Sequence, residues 1–103
     1  MRTRSVVQRD DVPTAAQHIV LALLKQDPVR RHVVRRSGRY DDIWCFRHGT
    51  PEAQHVEGTT LKALVRRDWA RHHGPTEIRI TPLGERALQR AIEAAARAEA
   101  PPC

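Results

Sequence analysis

Residues 50–81 read TPEAQHVEGTTLKALVRRDWARHHGPTEIRIT, and the way this stretch folds decides the architecture of the chain. Thr50, Pro51 and Glu52 have the chemistry of a helix start. The hydroxyl caps, the proline lacks an N–H that the first helical position does not need, and the acid faces the positive end of the helix dipole. A short helix is therefore expected over about residues 51–56, broken at Glu57 and Gly58, where glycine is free to take a left-handed turn. Thr59 or Thr60 opens the next helix, near 59–68, with Leu61, Leu64 and Val65 as its apolar stripe. At about 100° per residue, Thr59, Lys62, Ala63 and Arg66 face away from Leu61, giving an outer face that is polar, small and cationic. After Trp69 the chain alternates, turns at Gly74 and Pro75, and returns through Glu77, Ile78, Arg79 and Ile80, which predicts a basic hairpin near 70–80.

Upstream, Thr14 followed three residues later by Gln17 is a capping-box pattern. Ala16, Ile19, Val20, Leu23 and Leu24 then recur at the spacing of one buried helix face, and Pro28 stops that helix near Lys25 or Gln26. Residues 29–48, VRRHVVRRSGRYDDIWCFRH, are expected to form a hairpin turning at Ser37 and Gly38. The helical spacing of RRHVVRR keeps a helix ending at the same Ser-Gly as the alternative. Trp44 and Phe46 are expected to pack against the first helix, with base stacking as the other possibility. Downstream, Thr81 and Pro82 open a final helix over 82–99, with Leu88, Ala91, Ile92 and Ala95 as its stripe. Residues 1–12 have no apolar period and read as an N-terminal arm, and 100–103 as a frayed end, leaving one domain over 13–99.

Lys plus Arg number 18 against 12 Asp plus Glu, a net charge of +6. Residues 30–79 hold 11 cations and 6 acids, so +5 of that excess lies in this half of the chain. A basic balance of this size favours an anionic partner such as nucleic acid. Arg outnumbers Lys 16 to 2, which suits bidentate pairing with phosphate or guanine, although a G+C-rich coding bias would produce the same preference.

Other classes find little support in the residues. Cys45 and Cys103 are too few and too widely spaced for a disulfide framework, and no long apolar run or signal-peptide core is present. A cytoplasmic, nucleoid-associated protein with no membrane partner is the expectation. His18, His32, His48 and His55 are scattered, and His72 and His73 are adjacent, so on a strand they point to opposite faces. The acidic pairs Asp10-Asp11 and Asp41-Asp42 have no nucleophile or glycine-rich cradle near them. No catalytic residues, metal or cofactor are expected.

The stretch TTLKALVRRDWARHHGPTEIRITPLGERAL resembles the recognition helix, wing and following helix of winged helix-turn-helix regulators, broadly the MarR-like group. The resemblance rests on Thr60-Leu61, Leu64, Arg66-Arg67 and the run Ile80-Thr81-Pro82-Leu83-Gly84, within the stretch 59–88. Asp68 departs from it, standing where a glycine commonly ends the helix, and aspartate tolerates the left-handed turn better than most residues. The long Arg-rich connection over 29–48 is a second departure.

The resemblance implies a small α+β winged helix-turn-helix, with a three-helix core, a β-hairpin wing and a C-terminal helix. It also implies a transcription regulator binding double-stranded DNA, and a homodimer paired through helix 82–99, with a monomer capped by that helix as the alternative. Thr59, Thr60, Lys62 and Arg66 are then expected to face bases. Arg67, Arg71, His72, His73, Arg79, Arg35, Arg36 and Arg39 are expected at the phosphate backbone. The competing expectation is a winged-helix protein-interaction module whose arginines over 30–47 meet an acidic partner of the transcription or replication machinery.

Overall fold

Thr14 opens the first helix by a reciprocal cap: its hydroxyl accepts from the Gln17 amide at 3.2 Å, and the Gln17 side chain accepts from the Thr14 amide at 3.0 Å. The computed structural model describes residues 12–99. The order is α1 (Ala15–Gln26), β1 (Val29–Arg36), β2 (Arg39–Phe46), β3 (Gln54–Val56), α2 (Gly58–Arg66), β4 (Ala70–His72), β5 (Glu77–Ile80) and α3 (Pro82–Glu99). The frayed end at 100–103 lies outside the described residues, as does the arm over 1–12 apart from an exposed Val12.

The protein is a small α+β domain whose five strands form one antiparallel sheet in the order β3-β2-β1-β5-β4. The hairpin over 29–48 forms as expected, with Arg36 opposite Arg39 and both Ser37 and Gly38 at positive φ, 48° and 80°. Asp68 ends α2 in the left-handed region at φ 61°.

The helix expected over 51–56 is not there. Thr50 does adopt the capping chemistry: its hydroxyl donates to the Arg47 carbonyl at 2.7 Å and accepts from the Glu52 amide at 3.2 Å. The turn then stops, because Gln54, His55 and Val56 pair with Phe46, Cys45 and Trp44 as the edge strand β3. Only Val56 of that segment has a large apolar side chain to bury, too little to hold a helix against the core. The described residues thus contain three helices, not the three-helix core plus C-terminal helix of the expectation. Gly58 is the first residue of α2, following an extended Glu57 cap, and is not a left-handed breaker.

Two buried stripes are displaced from their expected positions. In α1 Val20, Leu21 and Leu24 are buried, while Ile19 is 63% exposed and Ala16 is exposed. In α3 Ala87, Leu88 and Ala91 are buried, while Ile92 is 46% exposed and Ala95 is exposed. The core joins Val20, Leu21 and Leu24 of α1 and Ala87 and Leu88 of α3 to Leu61, Leu64, Trp69, and to Val29, Phe46, Ala70 and Ile78 of the sheet. Cross-strand pairing sets Val29 opposite Ile78 and Ala70 opposite Ile80, so these strand residues share one face. The helices therefore cover that face.

Thr81 ties the end of α2 to the start of α3. Its hydroxyl donates to the Asp68 carbonyl and accepts from the Gly84 amide at 3.0 Å, and its amide donates to the Trp69 carbonyl at 3.0 Å. Buried Thr81 is thus the cap of α3, which explains the Ile-Thr-Pro-Leu-Gly run in physical terms.

Candidate nucleic-acid interface

Helix α2 spans from the edge strand β3 to the opposite edge strand β4, crossing the covered face. Leu61 and Leu64 anchor it in the core. Thr59, Lys62 and Arg66 are exposed, as the helical spacing requires, whereas Thr60 is half-buried. Among the described residues no ion pair or hydrogen bond engages Lys62 or Arg66.

One flank of α2 borders a groove of about 340 Å³, lined by Gly58, Leu61, Lys62, Val65 and Arg66 on the helix and by Trp44, His72 and Ile78 on the sheet. Trp44 is half-buried and meets the His72 ring edge-on at 6.1 Å. Phe46 is in the core, while Trp44 packs against its margin. Its position beside α2 was hidden in the sequence, since it depends on where β2 lies under the helix. Alternation along Ile43-Trp44-Cys45-Phe46 signals only that Trp44 and Phe46 share a face.

The expected backbone-contacting residues do not gather on one surface. Arg67, on the far flank of α2 from the groove, lays its guanidinium 5.0 Å from the Trp69 ring centre. Arg35 stands 5.9 Å from the ring of Tyr40, its cross-strand partner. His72 lies opposite Ile78 and so shares the helix-covered face. Arg71 lies opposite Arg79, one residue out of phase, and points to the other face. Arg36 and Arg39 form the last pair before the turn of the β1–β2 hairpin, also out of phase with Val29. His73 is exposed at the turn of the β4–β5 hairpin, where its amide donates to the Glu77 carbonyl at 2.8 Å.

Arg79 is not free to meet an anion without exchange. Its guanidinium hydrogen-bonds Glu77, which Arg30 also approaches at 3.4 Å. The hydrogen bond from Arg79 is the main force holding the Glu77 carboxyl below the usual carboxylate range. Desolvation opposes it, and the charges of Arg79 and Arg30 assist it.

On the same outer face the His32 and His48 rings stack with centres 4.0 Å apart beside the buried Cys45. Burial, and then the neighbouring His48 and Arg30, push the His32 imidazole below its ordinary value. Among the described residues no group of three or more His, Cys, Asp or Glu side chains is placed to hold a metal ion. No helix among them is long and apolar enough to cross a membrane.

The protein is of the α+β class, and its described residues set three helices on one face of a five-stranded antiparallel sheet. Compared with family models, with curated proteins and with solved structures, the chain matches none.

Proposed function

We propose that the protein is a sequence-specific DNA-binding protein, a small non-enzymatic transcriptional regulator of the cytoplasm and nucleoid, that reads duplex DNA through α2. The observation that carries this reading is the outer face of α2, where Thr59, Lys62 and Arg66 stand exposed and the two cations have no acidic partner among the described residues. A helix with short polar and cationic side chains on its free face suits the major groove, where Lys or Arg pairs with guanine and Thr contacts either base.

Two hairpins flank that helix. The β4–β5 wing contributes His72 on the α2 side and His73 at its turn, and the longer β1–β2 arm contributes Arg35. In this reading they make backbone contacts that fix register without reading sequence. The α+β architecture supports a winged-helix-like reading in which the strand β3 replaces the first helix of the helix-turn-helix. Selection of bound sites from random duplexes tests the function, with affinity falling steeply as salt rises.

Pairing of two copies through α3 is part of the proposal, because Ile19 on α1 and Leu83 and Ile92 on α3 expose 63%, 47% and 46% of their surface. A palindromic selected site accords with that pairing.

A further inference from the structure

The register divides the sheet into two chemically different faces. Residues directly opposite one another share a face, so the pairs Arg30–Glu77, Arg30–Cys45, Arg36–Arg39 and Arg71–Arg79 all belong to the face away from the core. None of these residues is in the core cluster to which all three helices contribute. Arg30, Arg36, Arg39, Arg71 and Arg79 are all exposed. Among the described strand residues the acids on this face are Glu77, already shared by Arg30 and Arg79, and Asp41 opposite Val34, and Asp27, just before β1, lines the hollow beside Arg30 and His32. Among the described residues no ion pair or hydrogen bond engages the side chains of Arg36, Arg39 or Arg71.

Two of the pairs set like charges side by side. Arg71 opposite Arg79 and Arg36 opposite Arg39 each weaken the sheet they belong to. An anion between the partners reverses the sign of that interaction. By register Arg79 lies level with residue 28, and Arg36 is eight residues further along β1, so the two pairs stand about 26 Å apart at roughly 3.3 Å per residue. A single phosphate or carboxylate cannot span that distance, whereas a polyanionic backbone does.

The same register selects the kind of polyanion. Tyr40, Trp44 and Phe46 alternate with Arg39, Asp41 and Cys45 along β2, so all three aromatic residues lie on the other face. The aromatic groups the arginine face does carry, His32 and His48, stack on each other, and no Phe, Tyr or Trp of β1 or β2 stands there for the base stacking on which single-strand binding depends. The face fits the phosphates of a duplex.

We propose that this open sheet face is a second duplex-binding surface, contacting phosphates without reading bases, so that one molecule holds two duplex segments, one on α2 and one on the arginine stripe. This rests on the reading of α2 given above. It adds a bridging activity to site recognition.

The test uses the full chain bound to a duplex fixed on beads, with a second, fluorescently labelled duplex of unrelated sequence in solution. The parent protein is expected to capture the labelled duplex. The triple variant Arg36→Ala, Arg39→Ala, Arg71→Ala should stay on the bead duplex but capture at least about tenfold less label, and the salt slope of capture should fall by about three. Replacing the same residues with lysine should preserve capture, which separates loss of charge from loss of fold. A circular-dichroism melt of the alanine variant should be no lower than the parent's, since two repulsive pairs are relieved.

Capture by the alanine variant equal to that of the parent overturns the second surface, because bridging then comes from α2 in paired copies. A parent that binds the bead duplex yet captures no second duplex overturns it as well, while the α2 reading stands. A parent that binds no duplex at all removes both.

Discussion

The main-chain carbonyl oxygen of Trp69 lies 2.0 Å from the point a Cβ on Gly84 would occupy. The first turn of α3 is thus pressed directly onto the backbone that leaves α2, with the Ile80 side chain 2.8 Å from the same point. The close approach seats the groove-facing helix against the rest of the core. It also explains why Thr81, three residues earlier, can hold Asp68 and Gly84 with one hydroxyl.

Gly84→Ala should accordingly destabilise the fold by about 1–3 kcal/mol, the cost of overpacking against a group that cannot swing aside. Gly58→Ala is the control: nothing lies within 4 Å of its added Cβ, and the residue is helical. It should be neutral or stabilising by up to about 1 kcal/mol. Urea denaturation of the two variants separates them, and equal midpoints would show that the contact is not as close as described.

His32 gives the fold a pH dependence of definite sign. Its imidazole is pushed below its ordinary value in the folded state, so the unfolded chain binds more protons there. This contribution is complete above the unfolded value of about 6.5 and is lost as pH falls from there through the folded value. Urea midpoints measured from neutral to mildly acidic pH should therefore decline, and more gently in His32→Gln than in the parent. An identical decline in the two proteins would assign the effect elsewhere.

Ile92→Glu tests pairing through α3. Sedimentation should show the parent as a dimer and the variant as a monomer with an unchanged far-ultraviolet circular-dichroism spectrum, since Ile92 is 46% exposed and outside the core. The parent's melting temperature should fall toward the variant's as the protein is diluted. A parent that sediments as a monomer at every concentration rejects the dimer.

Where chain chemistry is local, the fold was legible in residue order. Thr14 with Gln17, the turn at Ser37 and Gly38, Asp68 in the left-handed region and the Thr81-Pro82 start each need only a few neighbours to decide them. Thr50 shows the limit of that logic, because its cap forms as expected yet the following residues join a sheet edge that lies outside their own segment. The outward face of α2 followed from helical period, so Thr59, Lys62 and Arg66 were found correctly as exposed residues. The division of the arginines between two sheet faces was not legible. It depends on the pairing of β1 with both β2 and β5, and a shift of one residue would exchange the faces.

The most direct measurement is the affinity ratio between a selected duplex site and a scrambled duplex, determined at fixed salt for the parent and for Lys62→Ala with Arg66→Ala. The parent should prefer the selected site by on the order of a thousandfold or more. The double variant should retain its fold and its weak, salt-sensitive binding while that ratio falls to near one, each lost base contact being worth about 1–3 kcal/mol. A double variant that discriminates the two duplexes as well as the parent would contradict base reading by α2.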